Sequence, residues 1–359
     1  MTLAQADLRT HTTAACSARF ARDRLVLRGQ AGDAPGARAQ ACFDELRALR
    51  AARETADPAL PRLASLRLLV VSENNFPTAA GLASSAAGLA ALVRAVADLY
   101  ALPHSPEELS RIARMGSGSA CRSLLGGFVA WEVGVRADGT DSLAAQVAPA
   151  AHWSQLRAAV LVASAARKAV PSTAGMQATV ATSALFAHRV RAVVPGHMAA
   201  MRTAIAHRDF ASFASLTMAD SNSFHAVCLD TQPPIFYLTD VSRAAIRAVE
   251  EINRLAAAPI AAYTFDAGPN AVVYYLEPDG PRILGALHPA LAGVPGWPAQ
   301  PPPSAAAPDG SVLTLDEALL QPLRDGIARV ILTGVGEGPV KVDDSLVDAQ
   351  GEPVFGTAD

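Results

Sequence analysis

The sequence predicts a two-domain α+β protein, and three observations lead to this class. The chain has 359 residues, whereas a single hydrophobic core seldom grows to that size. Its residues are 51% hydrophobic, which is far too high for a disordered chain. Short apolar runs and helical patterns are interspersed without a regular βαβ period. We therefore expect one domain over residues 1–156 and a second over residues 157–359.

Three elements stand out in the first domain. The apolar run at residues 68–71 ends in polar residues, as expected of a buried strand. Residues 84–100 are rich in Ala and Leu at helical spacing, which predicts a long buried helix. Pro106 then opens another helix with Glu107 and Glu108 in its first turn.

The second domain is expected to be richer in strands. Apolar runs predict strands, and Gly, Pro and Asp between them predict turns. The Pro- and Ala-rich stretch after Trp297 predicts a solvent-exposed loop or linker. The expected elements are, in order, a buried strand at 158–163, two strands at 260–264 and 270–276 that face each other across the turn 266–269, the exposed stretch 297–310, and a late strand at 330–333.

Composition excludes several functions. Thirty basic residues face 33 acidic ones, for a net charge of -3, so no footprint for nucleic acid or an anionic membrane exists. The four cysteines never stand at CxxC spacing and the histidines form no HxH or HExxH pattern. A disulfide framework and a zinc site are therefore not expected, and a reducing, cytoplasmic location fits best. Residues 1–13 mix charged and short apolar pieces, so they are not expected to act as a signal peptide. The apolar stretch 79–93 is too short and too polar to be expected to span a bilayer.

The first candidate site is the small-residue loop at residues 77–86, between a predicted strand and a predicted helix. Small residues allow a ligand to approach the backbone, and free N–H groups at a helix start favour anions. Ser84 and Ser85 could contact phosphate oxygens or magnesium. Close helix packing with a serine N-cap explains the loop equally well. The loop is not a Walker A motif, which requires Gly-Lys-Ser or Gly-Lys-Thr. The only lysines of the chain, Lys168 and Lys341, lie outside it.

A second cluster covers residues 116–123, where glycines and serines surround Arg122. Such residues allow close backbone approach, and a guanidinium pairs in a planar fork with carboxylate or phosphate. The alternative is a flexible connector with a solvated arginine. A connector rarely runs directly into an apolar strand such as residues 128–131, so we favour a functional role.

Further candidates lie in the second domain. Asp266 precedes Gly268 and Pro269, and an ordinary turn-capping aspartate is the simpler interpretation. If its loop faces a pocket, Asp266 is the best candidate for a general base. Ser172 and Thr173 form a weaker candidate anion contact that a helix cap explains equally well. The polar stretch 220–225 could line a cleft, although its His225 fits a structural role equally well.

Taken together, these segments resemble the diphosphomevalonate decarboxylase family of the GHMP kinase superfamily. The loop at 77–86 resembles the superfamily's phosphate-binding motif, and several long segments match this one family in the right order. The resemblance extends over nearly the whole chain and is weakest after Gly296. The matching segments are 72–77, 77–86, 116–123, 221–230 with Pro233-Pro234 after it, and 264–271.

The resemblance implies a GHMP-kinase-like fold with the active site in a cleft between the two domains. It also implies an ATP- and Mg²⁺-dependent conversion of mevalonate 5-diphosphate to isopentenyl diphosphate, ADP, phosphate and CO₂, in the mevalonate route to isoprenoids and sterols. The family resemblance suggests a homodimer. Its partners would be the small-molecule substrate and ATP, with no nucleic acid and no membrane.

The resemblance further implies individual roles. Asp266 would take the proton of the 3-hydroxyl, and Arg122 would hold the substrate carboxylate. Ser85, with Ser84, would sit at the ATP phosphates with magnesium. The remaining implied nucleotide contacts are Ala80, Gly81, Leu82 and Ala83. The implied substrate contacts are Arg38, Ser117, Gly118, Ser119, Ala120 and Cys121, and the implied contacts of the substrate diphosphate are Ser172, Thr173 and Lys168.

One departure from the family pattern concerns the start of the chain. Family members begin with a strand and loop carrying a Tyr-Trp-Gly-Lys segment that binds the substrate diphosphate, and this sequence has no such segment. Residues 1–3 resemble the strand that follows it. Either the sequence is incomplete or this form lacks the strand. We therefore expect impaired substrate binding and a sheet strand without its partner.

Two other functions are compatible with the same motifs. A GHMP-type kinase would stop at the phosphate ester, whereas a decarboxylase releases CO₂. A non-catalytic nucleotide-binding relic would bind ATP without turnover. The motif-bearing residues are intact, which favours the decarboxylase.

Overall fold

The computed structural model describes residues 1–76, 84–163, 170–300 and 312–355. Contacts divide the chain into two compact units. Of the described residues, the first unit holds 1–76, 84–150 and 336–355, and the second holds the remainder of 151–335. Residues 336–355 thus pack with the first unit, although they were expected to belong to a second domain over residues 157–359.

The first unit is built around a three-stranded sheet in the order β1-β3-β2. The central strand pairs antiparallel with β1 and parallel with β2. The predicted strand at 68–71, both predicted helices and the strand at 128–131 are confirmed. The elements are β1 (Thr10–Ser17), β2 (Arg24–Leu27), α1 (Ala37–Ala56), β3 (Arg67–Asn74), α2 (Ser84–Leu99), α3 (Pro106–Gly116), a 3₁₀ helix (Gly118–Leu124), and the antiparallel pair β4 (Phe128–Trp131) and β5 (Ala144–Ala148).

Strand β3 is buried on both faces, and this explains where the end of the chain packs. Successive side chains of a strand point to opposite faces. Leu68 and Val70 join the core formed with α1 and α2. Leu69 and Val71 form a separate cluster with Leu346. The C-terminal segment therefore covers the second apolar face of β3.

A junction of three backbone segments anchors the end of the 3₁₀ helix. Thr2 N–H donates to the Gly127 carbonyl, Gly127 N–H to that of Gly336, and Gly336 N–H to that of Thr2, each at 2.8 Å. A Cβ on Gly336 would lie 2.3 Å from the Leu3 carbonyl oxygen, so only glycine fits. Residues 1–3, which resemble a family strand, lie outside the named strands but make these backbone hydrogen bonds and a single β-bridge at Leu3.

The second unit contains a four-stranded antiparallel sheet in the order β7-β8-β6-β9. All four predicted strands are confirmed. A helix with the length and hydrophobicity of a membrane span is absent from the described residues. The elements are β6 (Leu156–Ala163), α4 (Ser172–Thr182), α5 (Ala184–His188), a π-helical turn (Arg189–Val193), α6 (Val194–His207), α7 (Phe210–Asp230), α8 (Asp240–Leu255), β7 (Ala261–Phe265), β8 (Ala271–Leu276), α9 (Gly280–Leu291), α10 (Glu317–Gly326) and β9 (Ile327–Gly334).

The expectation of an exposed loop from Trp297 onwards is wrong at its first residue. The Trp297 side chain is only 7% exposed and belongs to the core of the second unit. Its indole N–H donates to His288 Nδ1 at 3.0 Å. Gly296 makes this possible, because its φ is 83° and a Cβ there would lie 1.9 Å from the Val330 carbonyl oxygen. Residues 301–311 lie outside the described residues.

A buried arginine joins three segments of the first unit. Arg50, in α1, is 2% exposed. Its guanidinium donates to Glu54 Oε1 at 2.8 Å, to the Tyr100 carbonyl at 2.8 Å and to the Pro61 carbonyl at 2.7 Å. Glu54 in turn accepts from the backbone of Leu63 at 2.7 Å. Each nitrogen of the Arg50 guanidinium therefore has an acceptor, and the buried Glu54 carboxylate has donors from both Arg50 and the backbone.

We expect Arg50→Met to lower the free energy of unfolding by ~3 kcal/mol, because it leaves a buried carboxylate and two carbonyls without their donor. Urea unfolding measures this change. Arg67→Met, at an exposed position of the same unit, is the control and should change stability by less than about 0.5 kcal/mol. Equal effects of the two substitutions would contradict a role for the buried network.

Candidate active site

The nucleotide candidate lies where β3 leads towards α2. Residues 77–83, which include Ala80, Gly81, Leu82 and Ala83, lie outside the described residues, as does the Ser84 side chain. Ser85 is exposed in the first turn of α2. That turn carries no acidic residue, so its backbone N–H groups and the helix dipole favour an anion.

The exit of β3 is fixed by side-chain hydrogen bonds. Asn75 Oδ1 accepts from the Arg9 backbone N–H at 2.8 Å, and its amide donates to the Asp7 carbonyl at 3.2 Å. Thr10 Oγ1 donates to Asn74 Oδ1 at 2.5 Å. The chain therefore leaves the sheet in a defined direction just before the candidate phosphate loop.

The glycine- and serine-rich cluster forms the cap of α3 and the 3₁₀ helix that follows. Ser117 Oγ lies 3.2 Å from Ser119 Oγ, and the Cys121 thiol donates to the Gly118 carbonyl at 3.0 Å. Ala120 and Cys121 are buried, and burial raises the pKa of the Cys121 thiol. The segment is therefore an ordered helix rather than a flexible connector, and its hydroxyls are half-buried.

Arg122 lies on this 3₁₀ helix and is half-buried. No carboxylate of the described residues forms an ion pair with its guanidinium. A half-buried guanidinium without a protein carboxylate is suited to an anionic ligand, because its fork of donors remains available.

Trp131 lies beside Gly118 of this cluster, although no sequence motif marked it as a site residue. A Cβ on Gly118 would lie 3.1 Å from Cη2 of the Trp131 ring. The indole N–H donates to Ser142 Oγ at 2.9 Å, and that hydroxyl donates to the Glu132 carbonyl at 3.0 Å. The only sequence signal was an aromatic residue at the end of an apolar strand. The ring therefore leaves little room for a side chain at Gly118, while Trp131 itself is 37% exposed.

Two weaker candidates gain little support from their positions. Arg38 is exposed in the first turn of α1. Lys168 lies outside the described residues. Their roles remain those implied by the family resemblance.

Asp266 is exposed on the tight turn between β7 and β8. Gly268 N–H donates to the Asp266 carbonyl at 2.7 Å, and Ser242 Oγ donates to the Pro269 carbonyl at 2.9 Å. The next residue, Ala267, is buried. The turn thus presents one carboxylate to solvent while its backbone is held from both sides.

Helix α7 supports the strand that carries this turn. Ser221 Oγ accepts from the Phe265 N–H at 3.1 Å, and the Asn222 amide donates to the Tyr263 hydroxyl at 2.9 Å. Ser221 and His225 are buried against β7, so the structure supports the structural interpretation of His225 that the sequence left open. Asp220 binds Arg189 at 2.9 Å.

His225 is a neutral aromatic support beneath the turn. It is 6% exposed, and its ring centroid lies 6.1 Å from that of Phe265 and 4.9 Å from that of Phe224. Burial lowers the pKa of His225 to about 4, although the hydrogen bond to the Phe265 backbone and the charge of Asp266 oppose this. The side chain is therefore uncharged at neutral pH.

Ser172 and Thr173 are half-buried in the first turn of α4. This turn also lacks acidic residues, so it favours an anion as α2 does. Further along α4, Thr179 Oγ1 lies 2.8 Å from Thr231 Oγ1, and Thr231 donates to the Val227 carbonyl at 2.9 Å. The helix is thereby fastened to the end of α7. Asp266, Ser172 and Thr173 belong to the second unit, whereas Arg122 and residues 117–121 belong to the first.

Family models cover most of the chain. The diphosphomevalonate decarboxylase-like N-terminal domain matches residues 1–144, and the mevalonate 5-diphosphate decarboxylase C-terminal domain matches residues 158–342. The diphosphomevalonate decarboxylase of Aspergillus fumigatus is 59% identical over 98% of this chain and 89% of its own length. The chain belongs to the diphosphomevalonate decarboxylase family. This confirms the resemblance inferred from the sequence.

Solved structures of the diphosphomevalonate decarboxylase family have the same fold. A crystal structure of mevalonate 5-diphosphate decarboxylase superposes with a TM-score of 0.88 at 49% identity, covering 97% of this chain and 90% of that one. A structure of MDDEF in complex with MVAPP, AMPPCP and magnesium has a TM-score of 0.69 at 26% identity, covering 94% and 87% of the two chains. The expected two-domain GHMP-like architecture is confirmed.

We expect acid to destabilise this family member partly through His225. Because the pKa of His225 is lower in the folded state, the unfolded chain binds the extra proton first, and stability falls as pH drops from about 6.5 towards 4. Between pH 7 and pH 5 this contribution amounts to about 2 kcal/mol. His225→Phe should remove it, as measured by urea unfolding at both pH values.

His207→Phe is the matched control, since His207 is exposed in the same unit. That variant should keep the acid sensitivity of the unsubstituted chain. Parallel pH dependence of His225→Phe and the unsubstituted chain would contradict the neutral buried state of His225.

Proposed function

We propose that the chain catalyses the ATP-dependent decarboxylation of mevalonate 5-diphosphate to isopentenyl diphosphate, with ADP, phosphate and CO₂ as the other products. The observation that carries this proposal is membership of the diphosphomevalonate decarboxylase family over nearly the whole chain. The complex of a related structure with MVAPP and AMPPCP supports the two substrates.

A tertiary hydroxyl is a poor nucleophile, so its attack on phosphorus needs a base. It is also a poor leaving group, so it must be phosphorylated before the C–O bond breaks. Asp266 takes the hydroxyl proton while the oxygen attacks the γ-phosphorus and the bond to ADP breaks. The new phosphate then leaves with the C–O electron pair. The bond to the carboxylate breaks next, and its electron pair forms the double bond as CO₂ departs. Exposure of the Asp266 carboxylate on a rigid turn supports this role.

Arg122 holds the substrate carboxylate until it leaves as neutral CO₂. A guanidinium binds both oxygens of a carboxylate and so fixes the plane of the group that will be lost. Ser117, Ser119 and the backbone around Gly118 line the same part of the substrate site. The ordered 3₁₀ helix and the Trp131 ring over Gly118 support this assignment.

Two helix starts bind phosphate groups in this proposal. Ser172 and Thr173 contact the substrate diphosphate, supplemented by Lys168, and Arg38 contacts the substrate. Ser84 and Ser85 contact the ATP phosphates with residues 80–83. Both described first turns lack acidic side chains, as anion binding requires.

A magnesium ion fits the residues at the start of α2. No group of three or more His, Cys, Asp or Glu side chains that could hold a metal occurs in the described part of the chain. Mg²⁺ is commonly bound through substrate phosphates with one or two protein oxygens, and the exposed Ser85 hydroxyl is such an oxygen. When bound, the ion would neutralise charge on the ATP phosphates.

We also propose that the enzyme works in the cytoplasm as a homodimer, as the family resemblance implies. All four cysteines are free thiols, which supports a reducing compartment.

We expect Asp266→Asn to lower kcat by about 10²–10⁴-fold, because the amide cannot accept the hydroxyl proton. ADP release and CO₂ release are measured together, so that a kinase stopping at the phosphate ester would give ADP alone. Asp325→Asn, an exposed aspartate of the same unit, is the control and should retain activity. Near-normal turnover of Asp266→Asn would exclude Asp266 as the base.

We expect Arg122→Lys to lower kcat/KM for mevalonate 5-diphosphate by about 10–100-fold, since lysine keeps the charge but loses the planar fork. The KM for ATP should change far less. Arg136→Lys, at an exposed position of the same unit, provides the matched control. A larger effect on ATP than on the diphosphate substrate would contradict carboxylate binding by Arg122.

A further inference from the structure

A close approach of two residues in the second unit has no place in the chemistry above. Gly175 lies on α4, one turn after Ser172 and Thr173. A Cβ at Gly175 would lie 2.3 Å from the Tyr237 hydroxyl oxygen. Contacts below 3.0 Å are essentially absent for real Cβ atoms. The Tyr237 hydroxyl therefore occupies the space that any other residue at position 175 would need.

Tyr237 is held firmly in this position. Its side chain is 7% exposed, and it belongs to a small buried cluster with Cys228, Ile235 and Ala267. The ring of His225 lies 6.5 Å from that of Tyr237, centroid to centroid. A tyrosine has only two side-chain torsions, so the hydroxyl cannot move away without displacing the ring from this cluster.

The cluster connects two parts of the proposed active site. Ala267 directly follows Asp266 and contributes to the cluster. At its other end the Tyr237 side chain reaches the helix that begins with Ser172 and Thr173. Burial raises the pKa of Tyr237, and the charges of Cys228 and Asp266 act in the same direction. The hydroxyl thus stays protonated and neutral beside α4.

We propose that Gly175 and Tyr237 are a pair of positioning residues that set the distance between the turn carrying Asp266 and the first turn of α4. The assignment rests on the proposed roles of Asp266, Ser172 and Thr173. The pair touches no reacting atom. It fixes where the general base stands relative to the groups that hold the diphosphate, and small errors in such positions cost catalysis heavily.

The contact distances predict a specific rescue. Apart from the hydroxyl oxygen, a Cβ at position 175 would meet Ile235 Cδ1 at 3.4 Å and Tyr237 Cζ at 3.4 Å, which are ordinary van der Waals contacts. The Tyr237 hydroxyl has no hydrogen-bond partner among the described residues. Tyr237→Phe therefore removes the clash without breaking a bond, and alanine at position 175 should then fit.

The experiment is a double-mutant cycle of Gly175→Ala and Tyr237→Phe, with kcat, both KM values and Tm measured for each variant. Gly175→Ala alone should lower kcat/KM for mevalonate 5-diphosphate by about 10–100-fold and lower Tm by a few degrees. Tyr237→Phe should lower kcat/KM by about threefold to tenfold, because the spacer loses its hydroxyl. The double variant, in which the new methyl group fills that space, should return to within about threefold of the unsubstituted enzyme.

Gly285→Ala is the matched control, because Gly285 also lies in a helix of this unit and a Cβ there would meet nothing within 4 Å. It should keep full activity and an equal or higher Tm. Should Gly175→Ala fail to fold, a folded and active double variant is still required. Equal behaviour of Gly175→Ala and Gly285→Ala overturns the proposal, and so does a double variant no better than Gly175→Ala.

Kinetics and stability separate positioning from packing. Rescue of Tm without rescue of kcat/KM would show that the pair only packs, and would overturn the positioning role. Failure of the proposed function gives a different result, namely no CO₂ release by the unsubstituted enzyme or near-normal turnover of Asp266→Asn, and the Tm cycle still reports on the contact itself.

Discussion

The second unit is organised by one requirement, that a tight turn must present a carboxylate to solvent while both flanking strands are buried. Buried backbone groups need partners, and here they come from other elements. Ser221 satisfies Phe265, and Ser242 satisfies Pro269. Polar residues of α7 and α8 are therefore placed inside an otherwise apolar core because they hold the backbone that carries Asp266.

In the first unit, glycines allow backbone segments to approach closely enough to hydrogen-bond to one another. The 3₁₀ helix bearing Arg122 ends at a junction where three backbones exchange hydrogen bonds through Gly127 and Gly336. Side chains at such a crossing would separate the backbones, and the segment that follows the 3₁₀ helix would shift. The C-terminal segment that supplies Gly336 continues to Leu346, which covers the second face of β3. The same segment thus stabilises the sheet and anchors the candidate substrate segment.

Each unit keeps its proposed charged residue accessible, and in the second unit the groups beneath that residue are neutral. Asp266 is exposed and Arg122 is half-buried without a carboxylate partner among the described residues. Below the Asp266 turn, burial keeps His225 and Tyr237 uncharged at neutral pH. The two aromatic side chains packed beneath the turn therefore carry no charge of their own next to the proposed base.

Local periodicity in the sequence was enough to predict the strands at 68–71 and 270–276 and the helix after residue 84. The family and the segments carrying Asp266 and Arg122 came from the resemblance of several motifs to one family. Only the tertiary structure decided that Trp297 is buried, that Leu346 returns to β3, that α7 supports β7, and that the Tyr237 hydroxyl excludes a side chain at position 175. Each of these is a contact between residues distant in the chain, and hydrophobic patterning within one segment carries no information about which distant surface will cover it.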